Sequence, residues 1–179
     1  MSDSALSRAR NVRLMGFDVD GVLTDGRLYF SAEGDVMKAF HSRDGLGMKL
    51  LANAGIRLAI ITGRKSALVE RRAENLGIDL VFQGVEDKRA VMAELLAREG
   101  LDFAQAGYMG DDIVDLAIMG ACGFAATVPD AHALVKQQAH YVAGQPAGLG
   151  AAREVCELIL RAQGKFDAVL APHLGGKPA

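Results

Sequence analysis

Two acids separated by a single residue, Asp18 and Asp20, carry the first candidate chemistry of this chain. They stand in the run Phe17-Asp18-Val19-Asp20-Gly21-Val22-Leu23-Thr24-Asp25-Gly26, directly after an apolar stretch, Val12 to Phe17, broken only by Arg13 and Gly16. That stretch predicts a buried strand stopping at Asp18, which leaves a carboxylate at a strand's exit. In an extended chain residues i and i+2 share a face, so the two acids can converge on one ligand. Gly21 lets the backbone turn away, and Thr24-Asp25-Gly26 adds turn chemistry. Two acids, a metal ion and a phosphate fit here; so does an ordinary Asp-rich turn.

Later groups separate those readings. Thr62-Gly63-Arg64, Lys88, and Asp111 with Asp112 each fall at a predicted strand end or at the helix entry beyond it. In an open parallel sheet that edge is where ligands bind. Phosphoryl transfer needs an in-line nucleophile, a cation for the phosphate oxygens, hydrogen-bond donors and a proton for the leaving oxygen. Asp18 can attack, forming an aspartyl-phosphate. Thr62 offers a hydroxyl, Gly63 an accessible N–H, and Lys88 a positive charge. Asp18 and Asp111 are hard oxygen ligands suited to Mg²⁺. Asp20, its side chain free of the metal, can protonate the departing alkoxide and later deprotonate the hydrolytic water. Taken singly, Thr62-Gly63 is a strand-end turn, Lys88 a solvated residue of a first helical turn, and Asp111-Asp112 an N-cap. In the order D-x-D-G, T-G-R, K, G-D-D, the set points to one crevice.

The elements that must position these groups follow a strand-then-helix rhythm. Strands are expected at Ile56 to Ile61, Ile78 to Phe82, Gly107 to Met109, Gly123 to Ala126 and His140 to Ala143. Helices are expected from about Leu46 to Ala54, Lys65 to Leu76, Asp87 to Arg98, Ile113 to Met119, Asp130 to Gln137 and Leu149 to Ala162. This alternation predicts right-handed crossovers and an α/β fold, a doubly wound parallel sheet. Ahead of it, Arg27 to Phe30 and Val36 to Phe40 flank a Gly-containing turn and read as a protruding β-hairpin over about 27–40. Its apolar residues suggest packing on another subunit. One domain over residues 1–170 is expected, with a flexible Gly- and Pro-rich tail at 171–179.

Composition narrows the partners. With 179 residues, half of them hydrophobic, the chain suits one domain with a sizeable core. A formal charge of -2 with interspersed signs gives no basic field for nucleic acid. Cys122 and Cys156 have neither metal-type spacing nor a disulfide framework. The polar first ten residues do not read as a signal peptide, and no apolar run is long enough for a bilayer. A cytoplasmic protein, away from membranes, acting on a small molecule is the expectation.

With these motifs assembled, the chain resembles the haloacid dehalogenase superfamily of phosphatases over nearly its whole length. Asp18 to Gly26 looks like the first motif, Ile60 to Arg64 the second, Lys88 the third, and Gly110 to Asp115 the fourth. An acid at Asp20 resembles the phosphatases and mutases rather than dehalogenases or transport ATPases. Thr24-Asp25-Gly26, His41-Ser42-Arg43-Asp44-Gly45, Ile61 to Lys65 and Gly150 to Cys156 extend the likeness to the small capless members. Those hydrolyse 3-deoxy-D-manno-octulosonate 8-phosphate on the way to lipopolysaccharide, as homotetramers with a hairpin in place of a cap domain. The resemblance implies Mg²⁺ held by Asp18, the carbonyl of Asp20 and Asp111, with Asp112 nearby. It implies phosphate bound by Thr62, Gly63 and Lys88, and the sugar acid bound by Asp20, Lys88, His41, Ser42, Arg43, Asp44, Gly45, Arg64 and Arg72. Bidentate guanidinium binding suits that substrate's carboxylate. It also implies that Gly175-Gly176-Lys177 can reach a neighbouring subunit. Two alternatives remain open: a phosphatase for another sugar acid, such as a nine-carbon one, and a non-catalytic assembly module.

Overall fold

The computed structural model describes residues 3–175. In chain order the elements begin α1 (Asp3–Ala9), β1 (Leu14–Phe17), β2 (Tyr29–Ser31), β3 (Gly34–Met37), α2 (Ser42–Asn53), β4 (Arg57–Thr62), α3 (Ala67–Leu76) and β5 (Leu80–Gln83). They continue with α4 (Lys88–Glu99), β6 (Ala106–Met109), α5 (Leu116–Ala121), β7 (Phe124–Thr127), α6 (Ala133–Gln138), β8 (Tyr141–Val142), α7 (Ala151–Ala162) and α8 (Phe166–Leu170).

Six strands form one sheet in the order β5-β4-β1-β6-β7-β8, every pair parallel. β1, β6 and β7 are buried along their whole length, which explains why their sequences run apolar instead of alternating. From β1 the chain moves outward through β4 and β5, then crosses back to build β6, β7 and β8 on the other side. The reversal puts a crevice beside β1, and Phe17 pairs in register with Met109 of β6. Asp18 and Asp111 therefore leave adjacent strands. β2 and β3 pair antiparallel as a separate two-stranded sheet, the expected hairpin.

Gly16 has a definite job in this arrangement. It pairs in register with Tyr108, and a Cβ at Gly16 would lie 2.8 Å from the Tyr108 ring. The glycine makes room for a fully buried tyrosine whose hydroxyl reaches past β1 toward the crevice.

Several elements differ from the expectation, each for a local reason. α2 starts at Ser42, four residues before Leu46, because His41 caps it: Nδ1 accepts from the Arg43 N–H at 3.1 Å. The His41 to Gly45 segment is thus a helix's first turn, not a loop. The expected helix over 113–119 divides into a 3₁₀ turn, Ile113–Asp115, and α5, with Asp112 capping the turn. α1 was not anticipated; Ala5 and Ala9 bury its inner face. Past residue 170 the described chain continues in a 3₁₀ turn at Ala171–Leu174. Lys165 donates to the Ala54 carbonyl at 2.9 Å, and the Arg161 guanidinium lies 3.5 Å from the Phe166 ring centre. Of the expected tail contact, Gly176 and Lys177 lie outside the described residues.

α2 and α7 are tied together by Asp44. This buried carboxylate accepts from the N–H of Arg153 at 2.8 Å and of Gly150 at 3.2 Å, satisfying donors at the start of α7 that the helix leaves unpaired. Asp44→Ala should strand both, and a loss of about 3 kcal/mol is expected in chemical denaturation. An unchanged midpoint would contradict the capping role.

Candidate active site

The polar crevice at the ends of β1, β4 and β6 is a cleft of about 320 Å³ lined by Asp18, Asp20, Gly26, Thr62, Gly63, Arg64, Lys88, Asp111, Asp112 and Val114. Each of the motifs D-x-D-G, T-G-R, K and G-D-D contributes side chains to it, with Gly21 and Gly110 outside the lining. Asp18 is held from two sides: its backbone N–H donates to the Met109 carbonyl at 2.9 Å, and its Oδ1 accepts from the Val19 N–H at 2.7 Å. Asp18 is 7% exposed and lines the cleft.

Lys88, at the first position of α4 and 3% exposed, donates to Asp18 Oδ2 at 2.7 Å and to Asp115 Oδ1 at 2.6 Å. Helix capping by Asp87, which accepts from the Ala90 N–H, fixes where that lysine starts. Burial alone would lower the lysine's pKa, but Asp18 and Asp115 more than compensate, and it ends raised. The solvated-lysine alternative is thereby excluded.

Asp115 is completely buried and fully used. Besides Lys88 it accepts from the Tyr108 hydroxyl at 3.3 Å and from the N–H groups of Asp111 and Asp112 at 3.0 and 3.3 Å. The same tyrosine hydroxyl sits 3.0 Å from the Ile61 carbonyl of β4. Asp115 is therefore the brace of the loop that carries Asp111.

Carboxylate oxygens of Asp18, Asp111 and Asp115 lie within 4.8 Å of one another, a spacing that suits a cation. Asp115 is closed off beneath the cleft, whereas Asp18 and Asp111 line it, so that pair is left to hold one. Gly21 cradles Asp111: with φ +86°, it would place a Cβ 2.0 Å from Asp111 Oδ2, so only glycine fits. Burial, followed by the charges of Asp18, Asp115 and Asp112, pushes the Asp111 carboxyl up to about 7. Burial and the Asp115 charge also raise Asp18, against the pull of Lys88. Crowded, desolvated acids of this kind are the hard oxygen donors that Mg²⁺ takes, so the residues present fit that ion.

Asp20 turns to other partners. Its Oδ1 receives the ammonium of Lys38, a residue that the sequence reading passed over as part of a hairpin strand. Arg64 Nε stands 3.8 Å from Asp20 Oδ2, its Nη2 3.8 Å from Asp35, and its guanidinium 5.3 Å from the centre of the Phe30 ring. The hairpin thus leans over the cleft of its own chain.

The remaining candidates gather elsewhere. His41, Asp44, Gly45 and Arg72 line a separate small cleft with Leu23 and Phe40. Arg72 donates to the His41 carbonyl at 3.1 Å, packs 5.5 Å from the Phe40 ring centre and occupies the space a side chain on Gly45 would need. Ser42 lines an adjoining groove with Lys49, and Arg43 reaches the Leu149 carbonyl at 3.4 Å. Within one protomer, then, this set does not converge with Asp18. Asp44 caps the start of α7, and Gly45 is packed closely against Arg72.

No family profile matches the chain. Among curated proteins, it is 45% identical over 167 residues to the 3-deoxy-D-manno-octulosonate 8-phosphate phosphatase KdsC of Yersinia pestis, covering 93% of this chain and 89% of that one. The fold is similar to the crystal structure of 3-deoxy-D-manno-octulosonate 8-phosphate phosphatase from Moraxella catarrhalis in complex with magnesium ion, phosphate ion and KDO, with a TM-score of 0.93. There the identity is 41%, with 97% of this chain and 99% of that one covered. A probable yrbi family phosphatase from Pseudomonas syringae gives a TM-score of 0.95 and 46% identity, covering 98% and 100%.

Asp111 fixes the sign of a stability test. Its ordinary value of 3.8 lies below the folded value of about 7, so between them the folded protein holds the extra proton and stability falls as pH rises. A divalent ion needs the ionised carboxylate. The rise in Tm on adding Mg²⁺ should therefore be larger at about pH 8 than at about pH 6, and Asp111→Asn should erase the difference. Equal shifts at both pH values would contradict the assignment.

Proposed function

Because this chain belongs to the 3-deoxy-D-manno-octulosonate 8-phosphate phosphatase family of the haloacid dehalogenase superfamily, we propose that it hydrolyses that sugar-acid phosphate to the free acid and phosphate. The observation that carries this reading is the single cleft in which Asp18, Asp20, Thr62, Lys88 and Asp111 meet. A binding module would not need a second, separately held carboxylate two residues after the first.

Asp18 is the nucleophile. Its Oδ1 and Oδ2 are steadied by the Val19 N–H and Lys88, which limits rotation and keeps the carboxylate aimed at the cleft. Thr62 and the Gly63 N–H bind the phosphate oxygens, and Lys88 offsets charge that builds on them during transfer. Asp18, Asp111 and the carbonyl of Asp20 would hold Mg²⁺, which when bound would neutralise phosphate charge so that an anionic carboxylate can approach it. Asp20 gives its proton to the departing sugar oxygen and takes one from the water that cleaves the aspartyl-phosphate. Arg64, in the cleft and 44% exposed, is placed to grip the sugar's carboxylate. His41, Ser42, Arg43 and Arg72 would meet substrate only across an interface between copies.

Such an interface is supported by the hairpin, whose Leu28, Tyr29, Phe30, Val36 and Met37 are all exposed, Phe30 and Val36 at 58%. Exposed apolar side chains of this number on a short two-stranded sheet suit subunit packing, and we read the assembly as a homotetramer. No helix among the described residues is long and apolar enough to cross a membrane. The two buried free thiols, Cys122 and Cys156, suit a reducing cytoplasm. We place the activity there, in the supply of lipopolysaccharide precursor.

With Mg²⁺ present, Asp18→Asn should lower kcat on the order of a thousandfold or more, and Asp20→Asn roughly a hundredfold or more. A fully active Asp18→Asn protein would remove the nucleophile assignment. Across a panel of phosphorylated sugar acids, kcat/KM should be greatest for the eight-carbon 8-phosphate; a nine-carbon winner would move the substrate but keep the chemistry. Light scattering should give about four times the 18.9 kDa chain mass, and a monomer at working concentration would defeat the tetramer.

A further inference from the structure

We propose that Lys38 is a positioning residue for Asp20: it occupies Oδ1 and so leaves Oδ2 as the one oxygen that exchanges protons with the reacting groups. The proposal rests on the phosphatase reading above. Lys38 directly follows β3, on a hairpin whose apolar residues Tyr29, Phe30, Val36 and Met37 are exposed. Its own side chain is only 2% exposed, an inversion of where a lysine normally sits. Strand pairing in the hairpin does not require this burial. The ammonium's bond to Asp20 Oδ1 accounts for it.

The two oxygens of a carboxylate are equivalent until something holds one of them. Here Oδ1 takes Lys38, with the Thr24 hydroxyl at 3.5 Å. Oδ2 is buried and has no hydrogen-bond partner; Arg64 Nε at 3.8 Å is beyond that range. A buried carboxylate oxygen left without a hydrogen bond is costly, and a group arriving in the cleft can supply the missing bond. Arg64 cannot do Lys38's work: it is 44% exposed and shared with Asp35.

The chemistry balances at Oδ2. As an Asp18 oxygen bonds to phosphorus, the bond from phosphorus to the sugar oxygen breaks and the proton on Oδ2 passes to that oxygen. Water then bonds to phosphorus, one of its protons passes to Oδ2, and the bond between phosphorus and Asp18 breaks. Lys38 transfers nothing; it keeps the carboxylate from rotating. Because it comes from the hairpin, that orientation lasts only while the hairpin is seated.

The test compares two esters in the full-length protein with Mg²⁺. The sugar-acid 8-phosphate leaves as an alkoxide that needs a proton, whereas p-nitrophenyl phosphate leaves as a phenolate that does not. Lys38→Met should lower kcat/KM for the first by ~100-fold and for the second by less than about fivefold, since kcat/KM reports transfer of the phosphoryl group to Asp18, the step in which only the sugar alkoxide needs a proton. Lys38→Arg should recover most of the difference, and adding Lys38→Met to Asp20→Asn should cost nothing further. Equal losses on both esters, or a further drop in the Asp20→Asn background, would overturn the proposal and reduce Lys38 to a tie for the hairpin. Lys38→Gln serves as the second variant if Lys38→Met does not fold. An unsubstituted protein inert toward both esters would overturn the phosphatase reading itself, and with it the role of Lys38.

Discussion

Acids at the exits of neighbouring parallel strands repel one another most strongly where water is excluded, and everything at this site depends on how that repulsion is contained. Lys88 contains half of it. Its ammonium lies between Asp18 and Asp115, 2.7 and 2.6 Å away, in a place that is almost closed to solvent. Removing either kind of partner would leave an unpaired buried charge, a far larger penalty than the net worth of the pair. The other half falls on Asp111, raised by burial and then by its acidic neighbours, and left for a cation to satisfy.

The supporting structure can be followed outward from that pair. Asp115 is pinned by Tyr108 and by two backbone N–H groups of its own loop. Tyr108 can stand there only because Gly16 on the adjacent strand has no side chain, and its hydroxyl also reaches β4. Three strands are thus linked through one phenol to one carboxylate. The crossing of the chain at β1 brings these parts together; the side chains then lock their relative heights. Such positioning is what a reaction with little covalent demand on the protein requires.

Much of this was legible in the chain before its fold was known. The parallel α/β sheet, the hairpin and the cleft residues from Asp18 to Asp112 follow from strand rhythm and from acids, a threonine and a lysine at strand ends. What was illegible has physical causes. The register between β1 and β6 cannot be read from either strand alone, so the reason for Gly16 was invisible. Asp115 and Lys38 act on groups 27 and 18 residues away, and local pattern carries no trace of such pairing. α2 starts early because a histidine ring accepts a backbone bond, a cap outside the usual Ser, Thr, Asp and Asn set. The His41 to Gly45 motif was visible as a motif, but which cleft it lines depends on tertiary packing of Arg72 and Phe40.

The hairpin stands apart from this economy of mutual support. Its strands of three and four residues pair only with each other, and the pairing slips between Tyr29 and Phe30. Its links to the cleft are a few side chains, Lys38 on Asp20 and Asp35 and Phe30 around Arg64. Insertions, deletions or recoloured apolar residues there leave the six-stranded sheet and the Lys88 cluster untouched. The architecture is therefore modular in a mechanical sense: the Lys88 cluster is braced by the parallel sheet, while the segment above it is coupled to the cleft by side chains alone.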